Sequence, residues 1–589
     1  MANDRTFEIG FVMAGAISAG AYTAGVMDFI FEALDAYESA KSSPGWDGPT
    51  HDVRVPVMAG ASAGGMTSAI SALHAYYDLK HVWPGAAPPS PERNRLYSSW
   101  VTDISLDALL ATTDLEGGRE AGGVLSLLCC DILDQIVDSA FVLGGSVRQR
   151  NWVGRDNDRT LRVMLTLTNV RGVPYSFAVF GANSDERLGM LNHADYYDFA
   201  VGTANAAGGT LALNVEDFAN PAWTRYKTAA LATGAFPVGL RPRIIERSDE
   251  TWYSFAGCVG YEDATKDCFV PIAPDSSFTG EAPYRFATVD GATIDNEPLE
   301  LARRYLAGRD LHNPRDGQAA NKAVVLVAPF PNFETAPPFS DALRLIDLLP
   351  RVGSALIDQA RFKPDELELA ANDTVFSRFM ISPIRNGNGS DAARKYPIAC
   401  GVMGGFGGFI DQSFRRHDYL LGRRNAQAFL RWNFALPDSN PMFDGQRINA
   451  ERWRVRNAEG EAGSLDLAGD RALKPKMFSP KVAGGVPRPG LPIIPLVDDL
   501  CKPIEIGAAD LPRPREVPLA ALKEQIRARA KKVIGTLLEV DLHKEVSSIA
   551  PIGVGLATEA VTDFAAHVAT EKAFAVVQNA VNEVAAAFA

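Results

Sequence analysis

At 589 residues the chain has room for roughly three to four domains of ordinary size, or for fewer large ones. Its 47% hydrophobic and 22% charged residues are the balance of a globular protein with a sizeable core, which excludes a disordered or fibrous chain. A net charge of −13 argues against a nucleic-acid partner, which needs a basic face for phosphate, but leaves apolar contact with lipid open. The six cysteines (Cys129, Cys130, Cys258, Cys268, Cys400 and Cys501) form no Cys-x-x-Cys pair and have no histidines at metal spacing. No metal site is therefore expected, and the thiols read as reduced thiols of a cytoplasmic protein, with Cys258 and Cys268 the pair that an oxidising compartment could join.

The apolar segment "FEIGFVMAGAISAGAYTAGVMDFIF" lacks a basic start, and Glu8 and Asp28 interrupt it. It therefore reads as part of the fold and not as a secretory signal, and no stretch reaches the roughly 20 uncharged apolar residues of a membrane span. Residues 7–13 are predicted to form a buried strand, 14–20 a loop of small residues, and 21–41 a helix with Val26, Ile30, Ala33 and Leu34 on one side. A second strand (53–60) and helix (63–77) follow, the start of an α/β fold with mainly parallel strands. Residues 125–141 read as a helix, 160–170 and 173–181 as a strand pair over a short turn, and 222–236 as a helix stopped by Pro237. Strands at 284–292 and 322–329 flank a helix at 298–306. The pattern then divides the chain into a first domain over 1–335, a mostly helical extension over 336–470, a proline-rich surface strap over 471–517, and C-terminal amphipathic helices over 518–589.

Three short segments carry chemistry. Gly60-Ala61-Ser62-Ala63-Gly64 sits between a strand and a helix. Small residues on both sides permit a sharp turn that lifts the serine clear, and the helix start favours negative charge beside it; the alternative is a simple tight turn. The loop Gly15-Ala16-Ile17-Ser18-Ala19-Gly20 repeats the strand-to-helix geometry. Its backbone N–H groups at Gly15, Ala16 and Ile17 could hold an oxyanion, or the loop could only pack closely on the sheet. In "TVDGATIDNEP", Asp290 ends an apolar strand and Gly291 follows it at once. A carboxylate at the carboxyl edge of a parallel sheet lies where active sites collect, although an aspartate can also make a local turn with the next glycine.

Taken together, "GAISAG", "GASAG" and "DGATIDNEP" resemble the patatin-like phospholipase family, with its glycine-rich oxyanion loop, Gly-x-Ser-x-Gly elbow and Asp-Gly-Gly or Asp-Gly-Ala motif followed by Asn-x-Pro. "ALATGAFPVGLRP" (230–242) is similar to the stretch that precedes the family's catalytic aspartate, so the resemblance spans residues 7 to about 330. It implies a three-layer α/β/α sandwich and a lipid acyl hydrolase working through a Ser–Asp dyad, here Ser62 and Asp290, without histidine or cofactor. Gly60, Gly64, Gly291 and Asn296 would support the motifs. The family's loop glycines fall on Gly15, Ala16 and Ile17, and its basic residue on Ala19, so the backbone donors are kept and the basic side chain is lost. The stretch at 401–432 resembles a C-terminal region of large bacterial members of the family, and its Arg415, Arg416, Arg423 and Arg424 are expected to be exposed or ion-paired.

On this reading Ser62 attacks an ester carbonyl with Asp290 as base, and the substrate is a phospholipid or another lipid ester. An acyltransferase or thioesterase with the same dyad, and an inactive lipid-binding scaffold, remain open. A Ser-Asp-His triad is a further rival, because His312 and His417 both follow Asp290 and Asp418 adjoins His417. The segment 518–540 puts Leu519, Leu522, Ile526, Val533 and Leu537 on one face and Lys523, Arg527, Lys531 and Lys532 elsewhere. Such a helix can lie on an anionic membrane or pack on the protein body.

Overall fold

The computed structural model describes residues 5–116, 123–155, 159–178, 187–202, 211–247, 260–263, 268–271, 274–275, 278, 283–308, 312–330, 348, 352, 355, 359–360, 364–372, 374–385, 396–453, 490–542 and 555–588. Its first half runs β1 (Thr6–Met13), α1 (Gly20–Lys41), β2 (Asp52–Gly60), α2 (Ser62–His74), α3 (Asp131–Ala140), β3 (Leu161–Ala178), β4 (Arg187–Gly202), β5 (Leu211–Asn214) and α4 (Ala222–Thr233). There follow β6 (Arg243–Arg247), β7 (Gly260–Asp263), β8 (Cys268–Pro271), β9 (Tyr284–Asp290), α5 (Leu299–Ala307), β10 (Lys322–Val327), α6 (Pro364–Ala371) and β11 (Arg378–Ile381). The chain closes with α7 (Gln412–Trp432), β12 (Ala435–Pro437), β13 (Gly490–Pro492), α8 (Leu519–Thr536) and α9 (Gly555–Ala587). Among the described residues no helix is long and apolar enough to cross a membrane.

The fold is α/β, built on a large, mostly parallel sheet in the order β11-β10-β1-β2-β3-β4-β5, with β9 on β3 and β6 on β9. From β11 to β3 every pairing is parallel. Strand alternation sends Phe7, Ile9, Phe11 and Met13 into the cluster shared with α1 and α2. Val12 and Ala14 go to the opposite face, where Leu299, Ala302 and Leu306 of α5 cover them. Central strands buried on both faces explain why β1 and β10 read as continuous apolar runs.

Strand β3 departs from the hairpin expected at 160–181. It is one strand, paired antiparallel with β4 on both sides of a register shift between Thr168 and Val173. Asn169 Oδ1 accepts the N–H groups of Arg171 and Gly172, and Gly172 takes φ +80°, so the turn residues make a bulge and do not reverse the chain. The same strand corrects the expectation that Asp290 lies in a parallel sheet, because β9 is antiparallel to β3. Strands β2 and β9 share one edge of β3, since β4 occupies the other. They approach along it from opposite directions, so Gly60 stands opposite Leu165 and Asp290 opposite Leu167.

Helix α1 was expected to be apolar on one side, yet Gly20 to Phe31 are buried all round. The second cover is α7, which crosses α1 at two glycines. A Cβ on Gly25 would stand 1.9 Å from the Tyr419 carbonyl oxygen, and one on Gly422 would stand 2.1 Å from that of Tyr22. Asp28 and Arg423, both fully buried, pair at 3.0 Å in this interface. Asp28 also accepts the Tyr419 hydroxyl at 2.6 Å, while Arg423 reaches Glu32 and lies 4.9 Å over the Trp83 ring. Burial alone would raise the Asp28 carboxyl, but Arg423 and His81 more than offset it and hold it well below the usual carboxylate range. Of the arginines of α7 expected to be exposed or ion-paired, Arg416 pairs with Asp510 at 2.8 Å, while Arg415 is buried and donates to the carbonyls of Val101 and Gly408.

The region after residue 335 is less separate than its composition suggests. Arg378–Ile381 is the edge strand of the main sheet, parallel to β10. Of the expected strap, residues 490–517 are described: 490–497 do not lie on the surface, since Leu491, Ile493, Ile494 and Leu496 are buried, whereas much of 498–517 is exposed as a strap would be. Backbone pairing of 490–492 with 435–437 draws them in, and Ile493 O meets the His51 ring at 2.8 Å. The helix expected over 125–141 starts only at Asp131, because Leu127 and Leu128 donate to Val238 and Gly239 and Cys129 to Leu109. Helices α8 and α9 bury Leu522, Ile526, Val577, Val581 and Val584 together with Phe414 of α7. Lys523 and Lys531 pair with Glu571 and Asp563, each at 2.8 Å. The proposed Cys258–Cys268 pair lies outside the described side chains; Cys129, Cys130, Cys400 and Cys501 are free thiols.

Arg423→Met leaves Asp28 charged and buried without its main partner, and a loss of about 3–5 kcal/mol in unfolding free energy is expected. The double variant Asp28→Asn/Arg423→Met recovers part of it in a denaturant titration. A second expectation concerns pH. Burial holds the imidazole of His51 at about 4 and that of His74 at about 3, so both are neutral in the fold. Unfolded histidines bind protons below about 6.5, so the unfolded state takes up more protons as pH falls from there towards 4. Stability is complete above that range and drains away within it, by on the order of 1–2 kcal/mol per histidine between pH 7 and 5. Urea midpoints across pH 4.5–7.5 measure the slope, and His51→Gln flattens it.

Candidate active site

Ser62 is the first residue of α2, directly after β2. Its φ is +52°, a left-handed backbone at a residue with a side chain. Such a conformation costs on the order of 1–3 kcal/mol and persists only where neighbours over-determine it. They do so here through close backbone contact. A Cβ on Gly64 would stand 2.1 Å from the Met13 carbonyl oxygen, and one on Gly60 would stand 2.6 Å from Gly64 itself. The Ser62 N–H is held by the Thr233 hydroxyl at 3.0 Å, at the end of α4. Thr233 lies in the 230–242 segment, but its role is invisible in sequence because the contact spans 171 positions.

Asp290 comes to the serine at the end of β9. The Ser62 hydroxyl donates to Asp290 Oδ2 at 2.6 Å, with both residues buried. Asp290 Oδ1 accepts the Ala292 N–H at 2.8 Å, so the local turn expected as an alternative role coexists with the serine contact. The backbone of Asp290 is tied on both sides: its N–H donates to Ala235 O at 2.9 Å and its carbonyl accepts the Thr168 hydroxyl at 2.8 Å. Gly291 is required by space, since a Cβ there would stand 2.3 Å from Thr166 O.

The loop after β1 lies against the serine. A Cβ on Gly15 would stand 2.9 Å from Ser62 Cβ and 2.4 Å from Asn296 Oδ1. The Gly15 N–H, expected as an oxyanion donor, is instead given to Asn296 O at 3.3 Å. That bond joins the loop to the Asp290 segment and takes Gly15 out of the donor set. The amides of Ala16 and Ile17 have no acceptor among the described residues. Ile17 has φ +49°, an outlier for a β-branched residue.

What holds Ile17 there comes from the C-terminal region. Ser18 donates its hydroxyl to Gly405 O at 2.5 Å and accepts the Gly408 N–H at 2.9 Å. Gly405 itself, at φ +103°, leaves just enough room for Ile17, whose Cβ lies 3.4 Å from where a Gly405 Cβ would be. Asp418 of α7 anchors the start of this glycine-rich loop by accepting the N–H groups of Ala399 and Cys400 at 3.0 and 2.7 Å. The dense glycines of "GVMGGFGGF" were a visible signal; the partner they clasp was not.

Beside Ser62 opens a cavity of about 930 Å³, counting its open mouth. Its walls come from α2, α3, α4 and the 98–104 segment, with Phe236, Leu240 and Phe409 near the entrance. The lining is apolar apart from Ser62, Ser99, the Trp100 indole and the Tyr226 hydroxyl, which is spent on Ala69 O at 3.0 Å. The two histidines of the rival triad lie elsewhere. His312 is exposed. His417 bonds Asp418 at 2.7 Å and packs edge-on against Phe588 at 4.8 Å.

No family model matches the chain. It is similar to the uncharacterized protein y4iI of Sinorhizobium fredii, 34% identical over 582 residues, a match that covers 91% of this chain and 77% of that protein. A relative this similar over most of both chains places the protein in one family with it: the chain belongs to the same family as the Sinorhizobium fredii protein y4iI.

Proposed function

We propose that this protein is a patatin-like lipid acyl hydrolase of three-layer α/β/α architecture, acting in the cytoplasm. The observation that carries the reading is the 2.6 Å hydrogen bond from Ser62 to Asp290 at the mouth of an apolar cavity. Helices on both faces of the sheet support the architecture, and four free cysteines are in keeping with a reducing compartment.

The chemistry follows from the donors and acceptors present. Asp290 Oδ2 takes the hydroxyl proton as Ser62 Oγ bonds to the ester carbonyl carbon. The carbonyl oxygen becomes an oxyanion, and the Ala16 and Ile17 amides, with the N-terminus of α2, stabilise it. Collapse expels the alcohol, which takes the proton from Asp290 and leaves an acyl group on Ser62. Water then gives a proton to Asp290 and its oxygen to the acyl carbon, and the fatty acid leaves as Ser62 recovers its hydrogen. Burial of the pair keeps water from weakening the serine–carboxylate contact.

Ser62→Ala and Asp290→Asn are each expected to lower ester hydrolysis about a thousandfold or more, while His312→Ala leaves it unchanged. A fluorophosphonate probe labels the wild type at Ser62, and folded wild-type protein that neither reacts with the probe nor hydrolyses any ester rules the proposal out. Ser18→Ala loosens the Ile17 turn, although Ser18 itself does not line the cavity. Its kcat falls about tenfold, less than removing an oxyanion donor outright, and KM stays close to wild type. A rise in KM at constant kcat would place Ser18 in substrate binding instead.

A further inference from the structure

The cavity has a direction. Along α2 its wall is Ser62, Met66, Ala69, Ile70 and Leu73, one face of the helix at three- and four-residue spacing. Residues beside the serine are only half-buried: Ile17, Met66, Phe236 and Leu240 all keep some exposure. At the end away from Ser62, Leu73 and Tyr226 are each 1% exposed and Ala140 3%, with Phe141 half-buried beside them. There Phe141 and Tyr226 join Trp223 in an aromatic cluster with ring centroids 5.3–6.2 Å apart. The opening is therefore at the nucleophile and the floor is at Leu73.

We propose that this cavity is an acyl-chain site that measures length, with Leu73 and Ala140 as its floor and Ala69 as its midpoint. The inference rests on the reading of Ser62 as the acyl-accepting nucleophile. Eleven residues of helix separate Ser62 from Leu73, about 16 Å at roughly 1.5 Å per residue. An extended chain advances about 1.2 Å per bond, one third of the span of an extended residue. The site thus takes a straight saturated chain of about 12–14 carbons. Its walls offer a long chain apolar burial along its whole length, each methylene adding to the gain. Short acyl groups leave most of that contact unused, so preference rises with length and stops at the floor. Small residues matter most at the midpoint: Ala69 and Ala230 both line the channel, and a larger side chain at Ala69 closes it about 10 Å from Ser62, near the eighth carbon.

Two measurements on the full-length protein test this. The first is kcat/KM for p-nitrophenyl esters from butyrate to stearate. The second is binding of free butyrate, octanoate, laurate and stearate to the Ser62→Ala protein, which reads the chain site without chemistry. In the wild type both profiles peak near laurate or myristate. Ala69→Leu lowers the laurate-to-butyrate ratio at least tenfold in hydrolysis and abolishes laurate binding in the Ser62→Ala background. Leu73→Ala moves the optimum two or more carbons longer, with circular dichroism and melting used to confirm folding. Folded Ala69→Leu and Leu73→Ala proteins with the wild-type chain-length profile overturn the ruler while leaving ester hydrolysis intact. Laurate binding that responds to Ala69→Leu in a protein that hydrolyses no ester keeps the chain site and overturns the hydrolase reading.

Discussion

One edge of β3 does the work on which the site depends. Its lower part hydrogen-bonds β2 running towards the carboxyl end of the sheet, and the next residues of the same edge bond β9 coming the other way. Gly60 and Asp290 end up opposite Leu165 and Leu167, about 7 Å apart along the strand at roughly 3.4 Å per residue. Residues 228 positions apart in sequence meet because two strands terminate head to head on a third. The arrangement tolerates no slippage. A shift of one residue in β9 would turn Asp290 to the opposite face of the sheet, and the bonds from Thr168 and to Ala235 hold the register where side-chain pairing is short.

Around that meeting point the chain stores strain in two neighbouring turns. Ser62 and Ile17 both sit at positive φ, and Gly15 brings the two turns into contact. Each strained residue is braced by something distant in sequence, Ser62 by Thr233 and Ile17 by the 405–408 loop through Ser18. The brace on Ile17 hangs in turn from Asp418 on α7, and α7 is fixed to α1 by the Gly25 and Gly422 crossing and the Asp28–Arg423 pair. A continuous chain of packed backbone therefore links the oxyanion-loop candidate to a helix four hundred residues later.

Local chemistry was readable in the sequence, and long-range geometry was not. The small residues flanking Ser62 and the glycine after Asp290 mark turns because the requirement for space is local. Strand direction is not a local property: "YRFATVD" looks the same parallel or antiparallel, and the bulge at Asn169 and Gly172 has the composition of a hairpin turn. Gly15 shows the same limit on a smaller scale, since nothing in "GAISAG" reveals that Asn296 will claim its N–H. Composition misled about Ile493 and its neighbours for a related reason. Proline spacing resembles a surface strap, but the isoleucines between the prolines are what the core takes in.

The crossing of α1 and α7 also sets an order on synthesis. Gly25 leaves the ribosome 397 residues before Gly422, the surface it must meet. At roughly 5–20 residues per second, the nascent chain carries α1 with one apolar face uncovered for about 20–80 seconds. Strand β1 waits nearly as long for β10, its neighbour on one side. A polypeptide made in this order spends most of its elongation with an unfinished sheet centre and an open glycine groove, until the last third of the chain arrives.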